Sequence, residues 1–132
     1  MHTTNYVDTL IRPAEDCRVV AKVPDKPGSV AALQYDLMAG NPYRMTSDEV
    51  LSTVAARRQG IGDADFPAFV DAFFSRGQAC FRASPLTKTH GWAVHADQHG
   101  RIALISPASP DYDRLEADAA CTKVSAMRAK RA

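Results

Sequence analysis

Arg82, Ser84, Thr87, Lys88, Thr89, His90 and Trp92 all fall within the stretch Arg82-Ala-Ser-Pro-Leu-Thr-Lys-Thr-His-Gly-Trp92. A guanidinium can grip a carboxylate or phosphate through two parallel hydrogen bonds, and an ammonium adds a mobile point charge. The hydroxyls supply further donors, Gly91 permits close backbone approach, and Trp92 offers a flat apolar wall. Recognition of an anionic small molecule is the chemistry these residue types serve. With His95 just beyond, the ligand-binding set is Arg82, Ser84, Thr87, Lys88, His90, Trp92 and His95. The same residues also suit a connection whose hydroxyls satisfy its own backbone around a turn at Pro85. No reaction is fixed by them, so the catalytic residues stay unassigned and whether the protein is an enzyme stays open.

Other chemistries find less support. His95-Ala-Asp97-Gln-His99 has the alternating spacing that points side chains to one side of an extended chain, and His90 is near in sequence. Zinc or iron would use such groups, but His99 falls where a hairpin must turn, and H-E-x-x-H is absent. No metal site or cofactor is therefore assigned. Cys80 would need a base or cation beside it to act as a nucleophile; a buried, inert thiol is the reading preferred for it, and Cys121 is read as packing. Asp48-Glu49 and Asp111 with Asp113 sit where helices begin, so their charges oppose the helix dipole rather than form an acid/base pair. Phosphate-binding glycine loops and a nucleophile-elbow serine motif are missing.

Charge and length narrow the class further. The 132 residues carry 16 basic and 15 acidic side chains, a net charge of +1, which gives no long-range field for nucleic acid. Arg57-Arg58 and the basic end Lys123, Arg128, Lys130 and Arg131 are read as solvated helix ends, which ranks nucleic-acid binding last. The apolar stretch Val30 to Met38 is interrupted by Gln34 and Asp36 and is too short to span a bilayer, so no membrane partner is expected. Met1-His-Thr-Thr-Asn-Tyr6 lacks the basic and apolar regions of a secretory signal. Three widely spaced cysteines without a C-x-x-C pair point to reduced thiols and a cytoplasmic location.

The elements that must position these groups follow from periodicity. A short strand is expected at Tyr6 to Ile11 and a second at Val19 to Val23. Ser29 caps a helix with Val30, Leu33 and Leu37 on one face, ending at Gly40-Asn41-Pro42. Thr46-Ser-Asp-Glu49 is a capping box for a helix that buries Val50, Leu51, Val54 and Ala55. Phe66, Phe69, Val70, Phe73 and Phe74 recur at helical spacing, which predicts a core-facing helix closed by Gly77. Ala79 to Ala83 is a strand candidate, and Trp92 to Asp97 with Arg101 to Ser106 forms a hairpin. Ser109-Pro110 opens a last helix whose apolar phase shifts near Asp118 before running on through Val124 and Met127. The expected fold is a single α+β domain over residues 1–132, an antiparallel sheet of about three or four strands including the 92–106 hairpin, packed on three or four helices.

The chain also resembles a family of short bacterial proteins grouped as a domain of unknown function. The resemblance rests on Met1-His-Thr-Thr-Asn-Tyr6, Glu15-Asp16-Cys17, Asn41-Pro42-Tyr43 with Thr46-Ser47-Asp48, and the stretch from Gly77-Gln78 to His95. Its most specific piece is Arg82-Ala-Ser-Pro-Leu-Thr-Lys88 before Gly91-Trp92 and His95. It implies a free-standing single-domain protein starting at Met1 and brings no activity or catalytic residue with it. The leading expectation is thus a cytoplasmic protein that binds an anionic small molecule at residues 82–95. The alternative is a non-enzymatic interaction protein, such as a homodimer, that uses the same residues as an interface.

Overall fold

In the computed structural model, which describes residues 1–129, the sheet grows outward from the expected hairpin. Strands β3 (Ala93–Ala96) and β4 (Arg101–Ile105) are joined through Asp97, whose carboxylate accepts the N–H groups of His99 and Arg101. β1 (Thr9–Arg12) lies antiparallel to β3, and β5 (Thr122–Ser125) lies parallel to β1 on its far side. The short β2 (Met45–Thr46) pairs with only the first part of β4, giving the order β2-β4-β3-β1-β5. The fold is α+β, with a five-stranded mixed sheet in place of a smaller antiparallel one.

Alternation along the central strands divides the apolar residues between two faces. One face carries Ile11, Val94, Ala96 and Ile102 against α1 (Val30–Met38), α2 (Ser47–Arg58) and the short α4 (Pro85–Lys88), with Met38, Val50, Val54, Phe81 and Leu86 completing the core. The other carries Leu10, Ala93, Ala103 and Ile105 under α5 (Pro110–Ala117), through Leu115. α3 (Phe66–Phe73) packs outside α2. The capping box at Thr46 and Glu49 forms, leaving the Asp48 carboxylate to accept from Thr3 Oγ1 at 2.6 Å and from Thr4 N and Oγ1 at 2.6 and 2.7 Å. These bonds fasten the N-terminal segment to the start of α2.

Several elements differ from expectation, each for a local reason. Val19–Val23 is no strand: Ala21 adopts φ 48°, and Val19, Val20 and Val23 are exposed. Ala79–Ala83 becomes a 3-10 turn at Phe81–Ala83, because Ser84 caps α4 immediately after it. The last helix stops at Ala117; beyond Asp118 the β-branched residues Thr122 and Val124 join β1. Lys123 is therefore on a strand rather than a helix end, and Lys130 and Arg131 lie outside the described residues. In α3 and just beyond it, Phe74 alone of the five apolar positions is buried, and Phe66, Phe69, Val70 and Phe73 are half-exposed. α1 is rotated relative to the expected face: Ala31, Gln34 and Met38 are its buried residues, while Leu33 and Leu37 are only partly covered.

Candidate functional site

Arg82, Ser84, Thr87 and His90 of the 82–90 segment are turned to the protein's own backbone and side chains. Arg82 Nε donates to Ser125 O at 2.7 Å, and Met127 N–H donates to Arg82 O, which ties the segment to the β5 edge of the sheet. Ser84 Oγ accepts from Leu86 N–H and donates to Gln34 Oε1 at 2.5 Å. Thr87, fully buried, donates to Phe81 O at 2.5 Å. His90 Nδ1 lies 3.0 Å from Pro85 O. Lys88 is half-buried and makes no side-chain hydrogen bond or ion pair among the described residues. Cys80 Sγ meets the Tyr6 hydroxyl at 3.4 Å rather than an imidazole.

Trp92 and His95 lie elsewhere, on opposite faces of β3. Trp92 follows the Val94 face and its ring packs against Tyr35 of α1, centroids 5.8 Å apart and planes at 51°. His95 is paired with Leu10 and Ala103 and so lies on the α5 face. Seven residues drawn from one stretch of sequence are thus spread from the β5 edge to the β4 side of the sheet. His90, His95 and His99 do not converge, and among the described residues no group of three or more His, Cys, Asp or Glu side chains is arranged to hold a metal ion.

What the fold does assemble lies at the open part of the β4 edge. Asp97 N–H donates to Arg101 O, so these two form a hydrogen-bonded pair, and alternation makes His95/Ala103 and Ala93/Ile105 the next ones. Leu104 therefore turns its N–H and C=O away from β3, beyond the point where β2 ends. A cleft of about 450 Å³ opens there, walled by Tyr35 and Trp92 on one side of the sheet and by Tyr43 and Arg114 on the other. Arg114 is exposed and touches Asp111 at 3.3 Å, a loose contact that leaves most of its donors available.

Tyr43 connects this cleft to a second, polar depression of about 300 Å³ that holds His95, Asp8, Asp97, Asp118 and Cys121 and shares Arg114. Tyr43 is held in the left-handed backbone region at φ 59°, with its N–H on Ile102 O, and its hydroxyl reaches His95 Nδ1 at 2.8 Å. Asp8 in the polar depression is also left-handed, at φ 45°. Such backbone costs on the order of 1–3 kcal/mol per residue and is held only where the surroundings over-determine it. Burial raises the Tyr43 phenol above its ordinary value, so the phenol keeps its proton while its hydroxyl shares a hydrogen bond with Nδ1. Burial also lowers the imidazole below its ordinary value, against the attraction of Asp97, so it is neutral. Cys121 is raised by burial and stays a thiol.

The His95 shift has a consequence for pH. The unfolded chain protonates this imidazole before the folded chain does, so stability is complete above the ordinary value of 6.5 and is lost as pH falls through it. The loss levels off once the folded imidazole also protonates. Thermal melts at successive pH values should show this fall in wild type, and His95→Gln should flatten it. An equal slope in both proteins would mean that burial does not hold His95 neutral.

A family model, that of the family of unknown function DUF6157, matches residues 1–132. The chain belongs to DUF6157. This agrees with the expected resemblance to a domain of unknown function. No curated protein and no solved structure matches it. The DUF6157 assignment carries no activity, so the chemistry has to come from the site itself. No helix among the described residues is long and apolar enough to cross a membrane. Tyr43 and Arg114 escaped the sequence reading although both lie in stretches it had singled out. Tyr43 follows Asn41-Pro42 and Arg114 shares a helical turn with Asp111, but nothing local says that either reaches β4.

Proposed function

We propose that this protein binds a small planar anion in the cleft at the β4 edge. The reading rests on one observation: the Leu104 N–H and C=O, unpaired among the described residues, open into a cleft with aromatic walls and a guanidinium at its rim. Tyr35, Trp92 and Tyr43 line it with aromatic rings, which suit a flat ligand. Leu104 supplies a donor and an acceptor that read the edge of a heteroaromatic ring, and Arg114 takes a carboxylate or phosphate. Trp92 and His95, two residues of the expected set, contribute directly and through Tyr43. The anionic preference is kept, with Arg114 in place of Arg82 as the cation. His95, whose Nδ1 is occupied by Tyr43, orients that ring.

Trp92 is the single tryptophan, so its fluorescence reports this cleft. Titration with heteroaromatic carboxylates and nucleoside monophosphates should quench or shift it saturably, and Arg114→Ala should weaken that binding about tenfold or more by removing a charged hydrogen-bond donor. Arg114 is exposed, so the variant should melt as wild type does. Lack of response across both classes, or equal affinity in Arg114→Ala, would rule the proposal out. A protein of twice the chain mass that dissociates on Lys88 charge reversal would instead favour the homodimer alternative.

A further inference from the structure

Gln34 lies on the buried face of α1 with Ala31 and Met38, where helical periodicity calls for an apolar side chain. It is 2% exposed, and a buried amide is costly unless its polar atoms are engaged. Its oxygen is engaged inside the protein. Ser84 Oγ, already accepting from Leu86 N–H, has its one proton for Gln34 Oε1. The amide oxygen thus lies toward α4, and Nε2, without a partner among the described residues, is open to the cleft rather than sealed in the core.

Gln34 lines a cleft of about 400 Å³ between α1 and α2, on the other side of α1 from Trp92. Val30, Leu51, Val54 and Phe73 provide its apolar wall, and Arg58 brings an exposed guanidinium that makes no ion pair among the described residues. No Asp or Glu lines it. Gln78 is turned away as a donor, its Nε2 going to Phe73 O, so its carbonyl oxygen is the group left over. Two donors, one on a largely buried side chain and one mobile and charged, thus line the same cleft beside Gln59 and Gln78.

We propose that this cleft is a second ligand site, one that takes an aliphatic carboxylate. The head group accepts from Gln34 Nε2 and from the Arg58 guanidinium, and the hydrocarbon tail lies against Val30, Leu51, Val54 and Phe73. Ser84 is then a positioning residue: it touches no ligand and sets which end of the Gln34 amide does. The site shares no lining residue with the Tyr43–Trp92 cleft and stands or falls separately from it.

The test is a titration of the full chain with hexanoate, followed through the side-chain amide signals of Gln34 in nitrogen-15 NMR spectra, with 1-hexanol and hexylammonium as matched controls. Hexanoate should shift the Gln34 signals saturably with a Kd on the order of 1 mM, a reasonable affinity for so small a ligand. Arg58→Gln should weaken it about tenfold, whereas Arg114→Ala should leave it unchanged. Arg58 is exposed at the end of α2, so its replacement does not disturb the core. Absence of saturation, equal binding of the alcohol or the amine, or full affinity in Arg58→Gln would each overturn the proposal. Because the readout is Gln34 rather than Trp92, failure here is distinguishable from failure at the β4 cleft.

Discussion

Gly91→Ala should lose at least about 4 kcal/mol of folding stability, among the largest effects of any single replacement in this chain. Two costs coincide at that position. Gly91 has φ 74°, in the left-handed region that a side chain disfavours, and a Cβ there would lie 2.0 Å from Val19 O and 2.7 Å from the Val19 carbonyl carbon. The obstacle is backbone, which cannot rotate away as a side chain would. The 19–22 strap is pinned to this same stretch by Ala21 N–H on Gly91 O at 3.0 Å, Lys22 N–H on His90 O at 2.8 Å, and Trp92 Nε1–H on Lys22 O at 2.9 Å. Either the strap moves off or the turn before β3 distorts. Denaturant unfolding measures the loss, and Trp92 emission should shift to the red as its indole N–H leaves Lys22. A variant within about 1 kcal/mol of wild type would mean the strap is free to move, contrary to the close approach seen here.

The strap also shows where sequence patterning stops being informative. Val19–Val23 has strand composition, yet its partner is the irregular stretch 90–92 rather than a strand, and Ala21 interrupts the extended conformation. By contrast, α2 was legible to the residue at its start, because a capping box is a local hydrogen-bond pattern that needs nothing from the rest of the fold. The β3–β4 hairpin was legible for a similar reason: its turn is set by Asp97 reaching forward to the N–H groups of His99 and Arg101. The helix Phe66–Phe73 was expected at this place, but it ends before Gly77 and its burial was overestimated. Periodicity reports that one face is apolar, and it does not report how completely a neighbour covers that face.

The same distinction governs the site. The polar density at 82–92 was visible, but direction was not: local spacing cannot show that Arg82 reaches Ser125 or that Ser84 reaches Gln34. The Tyr43–His95 contact depends on strand order, since Tyr43 meets β3 only because β2 pairs with β4 and stops short. Trp92 and His95 could be selected from the sequence as residue types worth watching. Which cleft each serves follows from alternation along β3, which puts them on opposite faces.

Phe81→Ala should cost about 3–5 kcal/mol, as removal of a buried phenylalanine generally does. Phe81 is 1% exposed and packs in the core between the sheet and α1, α2 and α4. Its carbonyl accepts from Thr87 Oγ1 and its turn leads directly into the Ser84 cap of α4. The Arg82–Trp92 segment is thus anchored from within: Phe81 and Leu86 are buried in the core, and Arg82, Ser84 and Thr87 join β5, α1 and the segment's own backbone. A loop that opens and closes over a ligand would give a different result, because its contacts contribute little to global stability. The denaturant midpoint of Phe81→Ala distinguishes the two. A large shift at unchanged m-value identifies the segment as the joint that holds sheet and helices together. A small shift would release Arg82, Lys88 and His90 for a ligand and return the site to the segment where the polar residues are densest.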